Sequence, residues 1–111
     1  VLKPGQRLLV PSGIAINLNQ PNLVAKMYPR SSLGHKYGIV LSNGTGVIDS
    51  DYQGEIGISL FNTSDVPYTL CRGDRIAQLV IQTVIQPRFE LVEDFSTKTE
   101  RGIEGFGSTG K

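Results

Sequence analysis

The 111-residue chain has no tryptophan and one cysteine, one histidine and one methionine. A lone Cys71 excludes an internal disulfide framework, and with His35 as its only imidazole companion it excludes the common structural zinc sets. No excess of one charge is present either: eleven Lys and Arg face ten Asp and Glu, a formal charge of +1. That balance gives no basic footprint for nucleic acid and no polybasic patch for a membrane surface. No apolar run approaches the ~20 residues that span a bilayer, and no stretch resembles a secretory signal, so a cytoplasmic protein is expected. What the chain does have is thirteen Gly and six Pro, the punctuation of a turn-rich β domain. At 12.1 kDa it is one domain's worth of chain, large enough to hold a core.

Turn signals recur at short spacing: Lys3-Pro4-Gly5, Pro11-Ser12-Gly13, Gln20-Pro21-Asn22, Ser42-Asn43-Gly44, residues 51–54 and 62–67, and Arg72-Gly73-Asp74. Proline fixes φ and glycine supplies positive φ, which is what tight turns require. Between them lie short apolar or alternating runs at 7–10, 14–18, 23–28, 38–41, 55–61, 68–70, 76–85 and 89–92. Ile14, Ile16 and Leu18 alternate with smaller or polar residues, as do Ile56, Ile58 and Leu60, the period-2 pattern of half-buried strands. Short strands at this spacing predict an all-β sandwich, jelly roll or barrel. The one helix expected is a turn or two around residues 31–36.

From about Ser96 the composition changes to glycine with few aliphatic groups, so the chain divides into a β domain over 1–95 and a flexible arm over 96–111. The arm ends Gly105-Phe106-Gly107-Ser108-Thr109-Gly110-Lys111, which satisfies G-x-x-x-x-G-K. A nucleoside-triphosphatase loop of that kind needs a following hydroxyl residue and a helix, which the sequence as given does not supply, so that reading is not expected. The local chemistry still suits an anion: glycine amides can curl around phosphate, Ser108 and Thr109 add hydroxyls, and Arg101 adds a planar guanidinium. Phe106, flanked by glycines, is placed to stack on a flat ring.

Three further clusters are polar beyond what a β domain needs. Pro29-Arg30-Ser31-Ser32-Leu33-Gly34 puts a guanidinium and two hydroxyls at a strand end, with a helix cap by Ser31 or Ser32 as the structural alternative. Gly46-Val47-Ile48-Asp49-Ser50-Asp51-Tyr52-Gln53-Gly54-Glu55 is acidic and aromatic at a hairpin end, with an Asp-rich turn as its alternative. In an extended segment Asp49 and Asp51 point to opposite sides, a poor metal pair. Gly73-Asp74-Arg75-Ile76-Ala77-Gln78-Leu79 opens the longest run, with Gln78 the polar residue inside it; Asp74-Arg75 by itself reads as a turn. His35 and Cys71 have no partner at ligand or triad spacing.

Taken in order, these segments resemble the second to fifth motifs of the trimeric dUTPase family (deoxyuridine triphosphate nucleotidohydrolases), and the resemblance extends from Pro4-Gly5 to Gly110. The family's first motif, an Ala-Gly-x-Asp-Leu type segment, falls upstream of Val1 in the motif order. The resemblance implies an all-β fold, a distorted jelly roll of β-clip-like form, assembled as a homotrimer with shared sites. It implies hydrolysis of dUTP to dUMP and pyrophosphate, which limits uracil incorporation into DNA and supplies dUMP for dTMP synthesis. Asp49 matches the base that activates water. Arg30, Ser31, Ser32 and Gln78 match phosphate and water contacts, and Arg101, Gly107, Ser108 and Thr109 match the arm's clamp on the outer phosphates. Asn43, Gly46, Val47 and Ile48 match the hairpin wall that meets uracil. Tyr52 matches the ring under deoxyribose that leaves no room for a 2′-hydroxyl, and Phe106 the ring that stacks on the base. Mg²⁺ is expected on the triphosphate, held by phosphate oxygens and water rather than by a protein cage.

Two alternatives follow from the same residues. The dCTP deaminases share the fold and carry an Arg-Ser-Ser sequence, but their catalytic carboxylate would fall near Ser59, where this chain has no acid. A non-catalytic nucleotide-binding or regulatory relative is the reading from a different class.

Overall fold

The computed structural model describes residues 1–107. Its order is β1 (Arg7–Pro11), β2 (Leu23–Pro29), α1 (Ser31–Tyr37), β3 (Ile39–Leu41), β4 (Gly46–Ile48), β5 (Gly57–Asn62) and β6 (Ala77–Thr83). The strands form two three-stranded antiparallel sheets, ordered β1-β5-β3 and β4-β2-β6. Neighbouring strands within each sheet are distant in sequence, as expected of the crossed connections of a distorted jelly roll. Each turn between consecutive strands therefore carries the chain between sheets or around an edge, and those passages hold the polar clusters.

The core is small and comes from both sheets: Ala25 and Met27 on β2, Leu33 on α1, Ile39 and Leu41 on β3, Ile48 on β4, Leu60 on β5, with Leu2 and Ile56. Helix α1 begins where Pro29 ends β2 and stops at Gly38, whose φ of 69° is the left-handed conformation that closes a helix. The close approach there also demands glycine. A Cβ on Gly38 would lie 2.8 Å from the Thr63 Oγ1, and Thr63 donates both its amide and its hydroxyl to the Gly38 carbonyl.

Several expectations need correction. Ile14 to Leu18 form no strand; Ile16 and Leu18 pack against the core, but the segment is tied only by separate bonds such as Ile56 N to Ile14 O at 2.8 Å. Residues 89–92 form no strand, and Phe89 and Leu91 are fully exposed. The run at 68–70 contributes a single bridge, Tyr68 to Leu2. Neither Ser31 nor Ser32 caps α1: Arg30 is the cap residue and no side chain caps it. Asn62, assigned to a turn by its neighbours, is the last residue of β5 and wholly buried.

Candidate functional site

β4 is three residues long because its ends are fixed by turns. Gly46 pairs with Met27 and Ile48 with Ala25, and at Gly46 a Cβ would lie 3.1 Å from the Met27 Cβ. Upstream, the Gly44 amide donates to the Leu41 carbonyl at 3.0 Å, and Gly44 supplies the positive φ this turn needs. Downstream, the Tyr52 amide donates to the Asp49 carbonyl at 3.1 Å, so Asp49 opens a turn as the strand ends. Between this hairpin-like passage and β5 lies a cleft of about 340 Å³. Asn43, Gly46, Val47, Ile48, Asp49 and Tyr52, six sequence-derived candidates, all line it. Its floor is the buried Met27, Ile48 and Ile56, and Ser59 completes the wall from β5. An apolar floor with a rim of backbone groups, one carboxylate and one aromatic ring suits a flat heterocycle joined to a polar sugar.

Because residues 49–52 turn rather than extend, Asp49 and Asp51 do not point to opposite sides of a strand. Both border a second cleft of about 650 Å³, with Asn19, Ser50 and Gln86. Among the described residues no three His, Cys, Asp or Glu side chains gather to hold a metal ion.

The second and fourth clusters meet through the β2–β6 ladder. Tyr28 pairs with Gln78 and Pro29 with Ala77, which brings the start of β6 beside the start of α1. Gln78 donates through Nε2 to the Pro29 carbonyl at 3.1 Å, and Arg30 donates through Nη1 to the Arg75 carbonyl at 3.3 Å. Arg30 and Gln78 line one cleft of about 830 Å³ together with the loop 70–75. Ser31 and Ser32 sit exposed in the first turn of α1 beside it, their hydroxyls not spent on a cap. Asp74 does what its sequence alternative says: it exchanges bonds with Cys71, accepting its amide at 2.8 Å and donating to its carbonyl at 3.0 Å.

The arm is separate from these clefts. Arg101 turns its guanidinium onto its own loop, donating to the Glu104 carbonyl at 2.6 Å and the Gly105 carbonyl at 3.3 Å. Phe106 and Gly107 are exposed and line none of these three clefts. Ser108 and Thr109 lie outside the described residues. Sequence reasoning missed Ser59 as a lining residue. The alternation of residues 56–60 could have signalled Ser59 as the face opposite Ile58 and Leu60.

Comparison with known proteins bears on the family and the fold. The family model described as dUTPase matches residues 1–110. The deoxyuridine 5'-triphosphate nucleotidohydrolase of Actinobacillus pleuropneumoniae serotype 5b is 58% identical over 108 residues, covering 97% of this chain and 71% of the relative. That of Hydrogenovibrio crunogenus is 54% identical over 110 residues, covering 99% and 72%. Among solved structures, a Staphylococcus bacteriophage 80alpha dUTPase with dUPNHPP superposes with a TM-score of 0.85 at 28% identity, covering 99% of this chain and 79% of that one. A dUTPase from Streptococcus mutans superposes with a TM-score of 0.72 at 32% identity, covering 79% and 73%.

Proposed function

The chain belongs to the dUTPase family, and on that premise we propose that it hydrolyses dUTP to dUMP and pyrophosphate by attack of water at the α-phosphorus. The observation that carries this reading is the convergence of Asn43, Gly46, Val47, Ile48, Asp49 and Tyr52 on one cleft of about 340 Å³. Uracil fits against the β4 backbone, and deoxyribose lies on Tyr52. Asp49, exposed at the rim, takes the proton from the attacking water, a role that general-base catalysis makes worth about 10²–10⁴-fold. Arg30, Ser31, Ser32 and Gln78 orient the phosphate chain; Arg30 and Gln78 are pre-positioned by their bonds to backbone carbonyls rather than free to wander. Arg101, Phe106, Gly107, Ser108 and Thr109 close over the bound nucleotide and exclude bulk water.

Mg²⁺ enters this proposal with the substrate. We assign the ion to phosphate oxygens and water, where it neutralises triphosphate charge. A homotrimer is proposed because the arm in its own chain lines none of the described clefts that hold the other candidates.

The test is product analysis with Mg²⁺ present. Pyrophosphate should be released from dUTP and hardly at all from dTTP, dCTP or UTP. Ammonia release from dCTP would establish deamination instead, and tight dUTP binding without turnover would establish the regulatory relative.

A further inference from the structure

The Tyr52 ring lies over a position where an added side chain would have to displace it. A Cβ built on Gly54 would stand 2.5 Å from the Tyr52 hydroxyl, 2.7 Å from Cζ and 3.1 Å from Cε1. The ring is also anchored by its tip, since the hydroxyl donates to the Glu55 carbonyl at 2.9 Å. Gly54 itself does not line the cleft that Tyr52 faces. We infer that Gly54 is a positioning residue for sugar selection: its missing side chain lets the Tyr52 ring occupy the space where a Cβ would stand, and so sets the wall that excludes a 2′-hydroxyl. This inference rests on the assignment of Tyr52 to deoxyribose.

The physical reason is that the ring can yield and the backbone cannot. The backbone around Gly54 is pinned on both sides. Tyr52 N bonds Asp49 O, Asn19 N bonds Ser50 O at 3.1 Å, and Ile56 exchanges backbone bonds with Ser12 and Ile14. Gln53 adds a side-chain bond to Asn17 at 3.3 Å. Tyr52, by contrast, is 46% exposed and belongs to no buried cluster. A methyl at position 54 therefore displaces the ring, breaks the bond to Glu55 and opens space at the sugar wall. Folding is largely spared because little buried area changes.

The experiment is a double-mutant cycle on the full chain: wild type, Gly54→Ala, Tyr52→Ala, and both together, each assayed for kcat/KM with dUTP and with UTP and for Tm. Gly54→Ala should keep its fold and lose preference for dUTP by about 10- to 200-fold, the range a reshaped pocket wall commands, with UTP turnover rising rather than dUTP turnover merely falling. A general weakening of the fold would not raise UTP turnover. With the ring already removed, adding Gly54→Ala should change neither preference nor Tm. If Gly54→Ala alone fails to fold, the ring does not yield to the added methyl and the inference is overturned. Preference kept within about twofold in Gly54→Ala, or a double variant that falls below Tyr52→Ala in preference or stability, overturns it. A wild-type chain that turns over UTP as well as dUTP, or a Tyr52→Ala variant with full preference, overturns the assignment of Tyr52 first and this inference with it.

Discussion

Asn62 and Asp49 show how differently single side chains are used. The Asn62 amide is 0% exposed. It donates to the carbonyls of Leu2 at 3.0 Å and Val66 at 2.9 Å, and it accepts the Ser64 amide at 2.9 Å and hydroxyl at 2.7 Å. Both donors and both lone pairs of the side chain are satisfied, so it ties the N-terminal residues and the 62–66 turn to the end of β5. Asn62→Ala should cost about 3 kcal/mol in urea unfolding, and Asn62→Asp should cost a comparable amount because a carboxylate cannot donate to Leu2 or Val66. Asp49 is exposed and its replacement by Asn should leave the unfolding midpoint in place. Turnover should collapse while binding of a non-hydrolysable dUTP analogue, followed by calorimetry, persists. Tyr68 gives a third residue-scale expectation. Burial, with Asp74, Tyr37 and Cys71 adding charge repulsion, raises its phenol above the ordinary 10.0. The unfolded chain therefore gives up this proton first, so the contribution is complete below pH 10.0 and is lost as pH rises through the folded value. Alkaline unfolding monitored between neutral and strongly basic pH should show a shallower fall for Tyr68→Phe.

At the scale of elements, β6 is the strand whose surroundings are least complete. It pairs with β2 along one edge only, and it exposes Leu79, Val80 and Ile81. A seven-residue strand with exposed aliphatic side chains and an open edge is a template for association unless something covers it. If the proposed trimer forms through this strand, Ile81→Glu should lower the mass seen by light scattering from trimer towards monomer without unfolding the chain, and an unchanged mass would place the contacts elsewhere. The same strand shows why some elements were legible in the sequence. The β-branched run after Gln78 and the alternation from Ile56 to Leu60 mark β6 and β5, and Pro29 followed by hydroxyls marks the start of α1. Residues 14–18 and 89–92 carry the same alternation but no ladder. Period 2 reports which side chains seek a surface, not whether a neighbouring strand is there to pair. β4 was hidden for the opposite reason: three residues inside a polar cluster give no period at all. The cleft residues were legible because their types and order carry chemistry. Gly54 was not, because a requirement for missing atoms appears only once the Tyr52 ring is in place.

For the whole molecule, the radius of gyration is 19.2 Å, against about 13 Å for a compact domain of this length. Part of the excess follows β6: residues 85–107 are exposed throughout and contain no strand or helix, yet they carry Ile85, Phe89, Leu91, Val92, Phe95, Ile103 and Phe106. Apolar groups presented in such numbers mark a segment that finds its surface on another molecule. In the proposed trimer that surface belongs to neighbouring chains, so the base Asp49 and the arm of any one site come from different copies. Mixing tests this directly. A chain lacking residues 102–111 and a chain carrying Asp49→Asn should each be nearly inactive alone. Refolded together in equal amounts, about a quarter of sites should combine an intact Asp49 with an intact arm if the two come from separate copies of a symmetric oligomer. Turnover should return to that fraction of wild type. If each site is closed by its own chain, no mixed trimer can contain a complete site, and mixtures shown by native mass spectrometry to have exchanged subunits would stay inactive.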